Sequence, residues 1–257
     1  MFLEDLEHIS IDDQKIAFPK HYHETFCISL IKNGIEQIDF EHHSLFSEKG
    51  SISITNPYEI HSNPLFDKNT KLQFDTLYIS VDLMKQLLDG KNITFLNRKI
   101  KSEAVNQSFI RLINAMDAKN ISTIEIFLKE FIDILKSHSQ ENEEEYVAHN
   151  LSHFTEINNY IENHIQEKFN LDELAKIANI NKYGFVKKFK ASTGMTPMNY
   201  ILMKKIFSSK NLIDITSELT EIAYQYSFTD LAHFSKTFKR FIGISPKMYQ
   251  KNIIDFS

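Results

Sequence analysis

Through roughly the first 80 residues, apolar and polar positions alternate in short runs, the pattern of half-buried strands. Thr25–Ile31 (TFCISLI) is apolar and rich in β-formers, Ile35–Phe40 alternates, Ser51–Thr55 (SISIT) has a clean period of two, and Leu72–Ile79 alternates again. Asn33-Gly34 between the first two runs is a hairpin-turn dipeptide, and Asn56-Pro57 stops the third. This spacing predicts a small antiparallel barrel or sandwich. From Val81 the period lengthens. Val81–Leu88, Ala104–Met116 and Ile121–Leu135 carry apolar residues at helical spacing. In the last of these, Ile124, Phe127, Leu128, Phe131 and Leu135 share one face, either a dimer seam or a packing surface for the barrel. The acidic run Ser139–Glu145 has no apolar anchor and reads as a linker. Everything beyond it has helical spacing.

That helical region contains a repeat. Phe185, Phe189, Gly194, Pro197 and Tyr200 recur 49 residues later as Phe234, Phe238, Gly243, Pro246 and Tyr249. Lys187 recurs as Lys236 and Lys190 as Lys239. Upstream, Leu171-Asp172-Glu173-Leu174-Ala175 matches Leu219-Thr220-Glu221-Ile222-Ala223 at an offset of 48. Each copy reads as helix-turn-helix plus a following helix. Asn170 caps the first helix, with Glu173 placed to complete a capping box. Asn181 and Asp230 cap the second helices, whose phenylalanines at i and i+4 point to the core. Gly194 and Gly243 suit helix ends, and Thr196-Pro197 and Ser245-Pro246 suit helix starts. A recognition helix offers its non-core face to the DNA major groove. In the first copy that face holds Lys182, Tyr183, Gly184, Val186, Lys187 and Lys190. In the second it holds Leu231, Ala232, His233, Lys236 and Lys239.

Charge removes an objection to DNA binding. The chain of 257 residues has a net charge of −5, but residues 1–146 sum to −9 and residues 147–257 to +4. Only Arg98, Arg111 and Arg240 are arginines, so bidentate guanine reading is nearly absent and salt-sensitive lysine contacts are expected instead. The single cysteine, Cys27, forms no intrachain disulfide and no cysteine zinc cluster, consistent with a reducing cytosol. The acidic N-terminus lacks the basic stretch of a signal peptide, and no apolar run is long enough for a bilayer. A cytoplasmic location without membrane contact is expected.

From Leu171 to Tyr249 the chain resembles the AraC/XylS family of transcription regulators. The carriers are Leu219-Thr220-Glu221-Ile222-Ala223, Phe228, Phe234, Phe238-Lys239, Gly243, Ser245-Pro246 and Tyr249. The family's turn glycine is Asn179 in the first copy and Ser227 in the second. Its recognition-helix arginine is Lys187 or Lys236, its tyrosine before the second phenylalanine is His233, its terminal arginine is Gln250, and its linking-helix arginine is Lys205. The resemblance implies a helix from about Pro197 to Ile213 that holds two recognition helices in successive major grooves. It extends forward: His21-Tyr22-His23 and Asn56–Ser62 (NPYEIHS) look like the family's cupin-like sensor domain. Cupin enzymes hold metal with His-x-His, a glutamate and a later histidine. Here Cys27 and Ile28 stand where the glutamate is expected, so His21, His23 and His61 are expected to line an effector pocket, with no metal or other cofactor.

The implied fold class is α+β with two domains: a cupin-like β-barrel with trailing helices over residues 1–138, a linker over 139–148, and an all-α tandem helix-turn-helix domain over 149–257. The implied function is a sequence-specific transcription regulator, an activator, not an enzyme. Its expected partners are double-stranded promoter DNA, a small-molecule effector, RNA polymerase and a second copy of itself. The alternative is a metal-dependent cupin enzyme with an accessory helical domain.

Overall fold

A computed structural model describes residues 3–67, 69–146 and 154–253. They fall into two compact units, residues 3–17 with 22–146 in the first and residues 154–253 with Phe18–His21 in the second. The first is β-rich, and the second is entirely helical over residues 154–253.

A short 3-10 turn (Leu3–Asp5) opens the first unit and leads into eight strands, of which the second alone groups with the other unit. These are β1 (Leu6–Ile11), β2 (Phe18–His21), β3 (Thr25–Asn33), β4 (Ile35–Asp39), β5 (Ser44–Glu48), β6 (Ile52–Thr55), β7 (His61–Asn63) and β8 (Gln73–Ser80). Helix α1 (Val81–Leu87), strands β9 (Ile93–Thr94) and β10 (Lys99–Ile100), and helices α2 (Glu103–Asp117) and α3 (Ile121–Lys136) follow. One antiparallel sheet has the order β1-β8-β3-β6-β10, the other β2-β7-β4-β5. Phe26, Ile28, Leu30, Ile52, Ile54, Leu77 and Ile79, alternate residues on one face of the first sheet, form one core with α2 and α3. Burying that face removes apolar surface from water at about 25 cal/mol per Å².

Three sequence expectations change here. Asn33-Gly34 is not a hairpin turn: β3 and β4 belong to different sheets. Gly34, at φ 80°, turns a corner, and a Cβ there would stand 3.0 Å from the Lys71 carbonyl oxygen. The apolar face of α3 is not a free dimer seam, since Ile124, Leu128, Phe131 and Leu135 are buried in the unit's own core. The run read as linker, residues 139–148, is anchored over its first eight residues. Gln140–Glu141 forms β11 and pairs with β9. Tyr146 then donates its hydroxyl to the Ile93 carbonyl at 2.7 Å and stands edge-on to Phe26.

The second unit contains α4 (Thr155–Asn163), α5 (Leu171–Ile177), α6 (Lys182–Thr193), α7 (Pro197–Lys210), α8 (Leu219–Gln225), α9 (Leu231–Ile242) and α10 (Pro246–Asn252). The capping chemistry is local. Asn181, Asp230, Thr196 and Ser245 each accept a backbone N–H from the first turn of their helix. Gly194 and Gly243 end α6 and α9 at positive φ. The capping box on α5 does not form. Asn170 takes the N–H of Asp172, and Glu173 accepts the Tyr160 hydroxyl instead. Helix α7 stops at Lys210, three residues short of the expected Ile213.

Candidate nucleic-acid interface

The two copies of the repeat superpose in their packing. Phe185 and Phe189 are fully buried with ring centroids 5.6 Å apart, and so are Phe234 and Phe238. Phe189 meets Tyr200 at 5.5 Å, and Phe238 meets Tyr249 at 5.5 Å. Leu174-Ala175 and Ile222-Ala223 are buried on the helices in front. The small alanine lets α5 cross close to α6, and α8 close to α9. The turns between them need a left-handed residue, which the sequence supplies without glycine: Asn179 at φ 53° and Ser227 at φ 59°. Asparagine tolerates that region. Ser227 offsets part of its strain by donating to the Gln166 carbonyl at 2.6 Å.

Because the phenylalanines fix which side of each helix faces inward, the opposite side is solvent-exposed. On α6, Lys182, Tyr183, Lys187 and Lys190 are exposed, Tyr183 at 87%, while Gly184 and Val186 are half-buried. On α9, Ala232, His233, Lys236 and Lys239 are exposed and Leu231 is half-buried. Tyr183, Lys187 and Lys190 lie at i, i+4 and i+7, so they form one stripe. Ala232, Lys236 and Lys239 form the matching stripe 49 residues on. Two exposed residues beside the stripes have local partners. Lys182 pairs with Asp172 at 2.9 Å, and His233 sits beside the Thr229 hydroxyl at 3.2 Å. Lys188 is also exposed on α6, although the repeat pattern did not single it out.

Helix α7 carries Lys205 inward. It is buried, lies over the Phe169 ring, and donates to the carbonyls of Glu167 at 2.6 Å and Tyr226 at 2.7 Å. Burial pulls its pKa down to about 8. One side chain thereby ties the loop ahead of α5 to the turn ahead of α9. Gln250, at the family's arginine position, bonds the carbonyls of Asp214 and Ser217.

One ligand atom each of His21, His23 and His61 lies within 4.8 Å of the others. His21 and His61 have their Nδ1 against backbone carbonyls, of Pro19 at 2.7 Å and Glu59 at 2.8 Å. Burial lowers the His61 pKa to about 4, so it is neutral at physiological pH. A divalent ion there would find three imidazoles and no cupin-type carboxylate.

Comparison with known proteins places both halves. The AraC-like ligand binding domain matches residues 5–132 and the helix-turn-helix domain matches residues 174–252. The chain belongs to the AraC family of transcription regulators. It is 37% identical over 95 residues to the probable transcriptional regulator LumQ of Photobacterium leiognathi, covering 37% of this chain and 38% of LumQ. It is 24% identical over 249 residues to the HTH-type transcriptional activator RhaS of Escherichia coli (strain SE11), covering 90% of this chain and 86% of RhaS. Among solved structures, ToxT from Vibrio cholerae O395 has a TM-score of 0.56 at 18% identity, over 97% of this chain and 98% of ToxT. At that identity the likeness is one of fold: a β-rich domain followed by a helical one. ToxT has also been solved with an unsaturated fatty acid bound. Among the described residues of this AraC-family chain, no helix is long and apolar enough to cross a membrane.

Proposed function

We propose that this AraC-family chain regulates transcription by laying α6 and α9 into successive major grooves of double-stranded promoter DNA. The matched stripes of Tyr183, Lys187, Lys190 and Ala232, Lys236, Lys239 support this most directly. Equal packing behind them presents the two helices in the same way, as a two-headed reader requires. The lysines serve chiefly as phosphate contacts, while Tyr183, Val186 and Ala232 offer apolar contact to thymine methyls. In this reading the β-rich unit, residues 1–138, is the sensor, the segment 139–148 connects it to the DNA-binding unit 149–257, and a small molecule held there biases DNA binding. His21, His23 and His61 line that pocket. The protein acts as a cytoplasmic homodimer that contacts RNA polymerase as an activator, and it is not an enzyme.

Footprinting on a promoter fragment that the wild-type protein protects tests this. Lys187→Ala and Lys236→Ala should each weaken protection over one half-site; if neither does, the interface lies elsewhere. The histidine cluster favours the second reading, a metal-dependent cupin enzyme. Metal analysis of purified protein separates the two: a metal-free protein that still protects promoter DNA excludes the enzyme.

A further inference from the structure

We propose that the space between the two sheets of the sensor unit binds a small organic cation, an amine whose N–H groups pair with Glu36. This rests on the reading of that unit as the sensor and names the chemistry of its effector.

Strand alternation sets up the argument. One face of the five-stranded sheet is the apolar core described above. The other face carries Ser29, Ser53, Thr55 and Thr76, all buried and in register: Ser29 opposite Ser53 and Thr76, Cys27 opposite Thr55. Ser51, also buried, continues this series. The second sheet contributes Glu36 and Ser47, paired across β4 and β5, and Asn63 on β7, all buried. Glu36 joins the two sheets, since its carboxyl accepts from the Ser53 hydroxyl at 2.5 Å and from the Asn63 amide at 3.3 Å. Gln14 closes the ring by donating to the Asn63 carbonyl at 3.4 Å.

A barrel that needed only stability would fill this space with apolar side chains. Beside the buried Ile9, Ile11, Ile31, Ile38 and Phe74, it holds a carboxyl, two amides and a set of hydroxyls. Several of their buried atoms lack a hydrogen-bond partner: Ser47 Oγ, Ser51 Oγ, Thr55 Oγ1 and Gln14 Oε1. Such orphans are costly unless something else satisfies them. The side chains named here include no lysine or arginine. Each orphan oxygen can accept a hydrogen bond, as can Glu36 once ionised, so a donor-rich cation satisfies both together. Burial raises the Glu36 pKa to about 7, so its carboxyl can ionise when a cation arrives. A carboxylate ligand such as a fatty acid would face Glu36 with like charge. A neutral polyol would satisfy the hydroxyls but draw no proton from Glu36, so its binding would release none at pH 6.

The test uses the full chain and a fixed probe set: putrescine, agmatine and ethanolamine as chloride salts, against 1,4-butanediol, glucose, oleate and matched sodium chloride. Thermal unfolding and titration calorimetry in buffers of different ionisation enthalpy are read together. At least one amine should raise the melting temperature of the wild type by several degrees. At pH 6 its binding should release a proton, and at pH 8 that release should vanish. In Glu36→Gln, shown folded by circular dichroism and promoter binding, both effects should disappear. The proposal is overturned if no amine exceeds matched salt, if butanediol, glucose or oleate is the stabiliser, or if Glu36→Gln keeps the amine response. Promoter protection is measured alongside. Intact protection with silent amines defeats this proposal alone, whereas amine binding that never alters protection defeats the sensor reading and leaves the cation site standing.

Discussion

The buried carboxyl of Glu36 sets a stability profile that one substitution should erase. At 3% exposure it keeps its proton up to about pH 7, against 4.5 in the unfolded chain, because burial penalises the charge more than Ser53 and Asn63 support it. Its contribution to stability is full below pH 4.5 and is lost as pH climbs through 7. That loss amounts to about 3 kcal/mol. Glu36→Gln carries the neutral form at every pH. The variant should therefore match the wild type near pH 4.5 and exceed it by about 3 kcal/mol at pH 8. For a unit of this size that corresponds to roughly 10 °C in melting temperature. The chain has no tryptophan, so scanning calorimetry of the full-length protein is the suitable assay. His61 titrates in the opposite sense, favouring the fold above pH 6.5, but it is common to both proteins and cancels in the difference. Parallel curves for the two proteins, or a less stable variant at pH 8, would show that Glu36 is ionised and compensated in the ligand-free fold.

Phe238→Ala empties a fully buried site against Phe234 and Tyr249 and should cost about 3–5 kcal/mol, with promoter protection lost over one half-site only if the first copy of the helical repeat stays folded. Asp230→Ala removes the acceptor for the His233 N–H and should cost about 1 kcal/mol, read as a shift in urea midpoint without a change in slope. Lys205→Met strands the carbonyls of Glu167 and Tyr226. It should lower the stability of the helical unit by about 1–3 kcal/mol per orphaned group; an unchanged midpoint would remove Lys205 from any structural role.

The helical unit was legible in the sequence because its determinants are local. Phenylalanines at i and i+4, caps of asparagine, aspartate, threonine and serine, and glycine ends all act within a turn or two of themselves. The β-rich unit was less so, because strand partners are distant. Asn33-Gly34 has the same local chemistry at a hairpin and at a corner. The difference lies in Lys71 and Leu72, which come up against Gly34 from far along the chain. In Ile35–Phe40 a period of two sets Glu36 on the face of Ile38 and Phe40, so Glu36 is buried and Ile35 is 38% exposed, but composition gives no reason to expect a carboxylate inside. What holds Glu36 inside is Ser53 and Asn63, on strands that no local pattern connects to β4. The acidic run Ser139–Glu145 looked free because its composition offers no core residue. Its anchors are backbone pairing to β9 and a tyrosine one residue past its end.

Substituting lysine for arginine on both recognition helices has a measurable consequence. Arginine reads guanine through a fixed fork, whereas lysine is a point charge on a flexible stem. The four stripe lysines, Lys187, Lys190, Lys236 and Lys239, are all exposed, and no ion pair engages them among the described residues. If each neutralises one phosphate, they contribute roughly −3 to −4 to the slope of log affinity against log salt. Removing Lys187 or Lys236 should then flatten that slope by about 1 and weaken promoter and random DNA alike. A lysine that reads a base edge would behave differently: its loss would spare the slope and narrow the gap between promoter and random DNA. Arg240 is half-buried, with its guanidinium 5.5 Å over the Phe241 ring, and lies one turn beyond Lys236. On the proposed interface, the exposed or half-buried candidates for base contact beside the lysines are Tyr183, Val186, Ala232 and His233. Tyr183→Ala is the substitution that should lower specificity while leaving the salt slope untouched. A slope change in Tyr183→Ala, or retained specificity, would move base reading to the lysines.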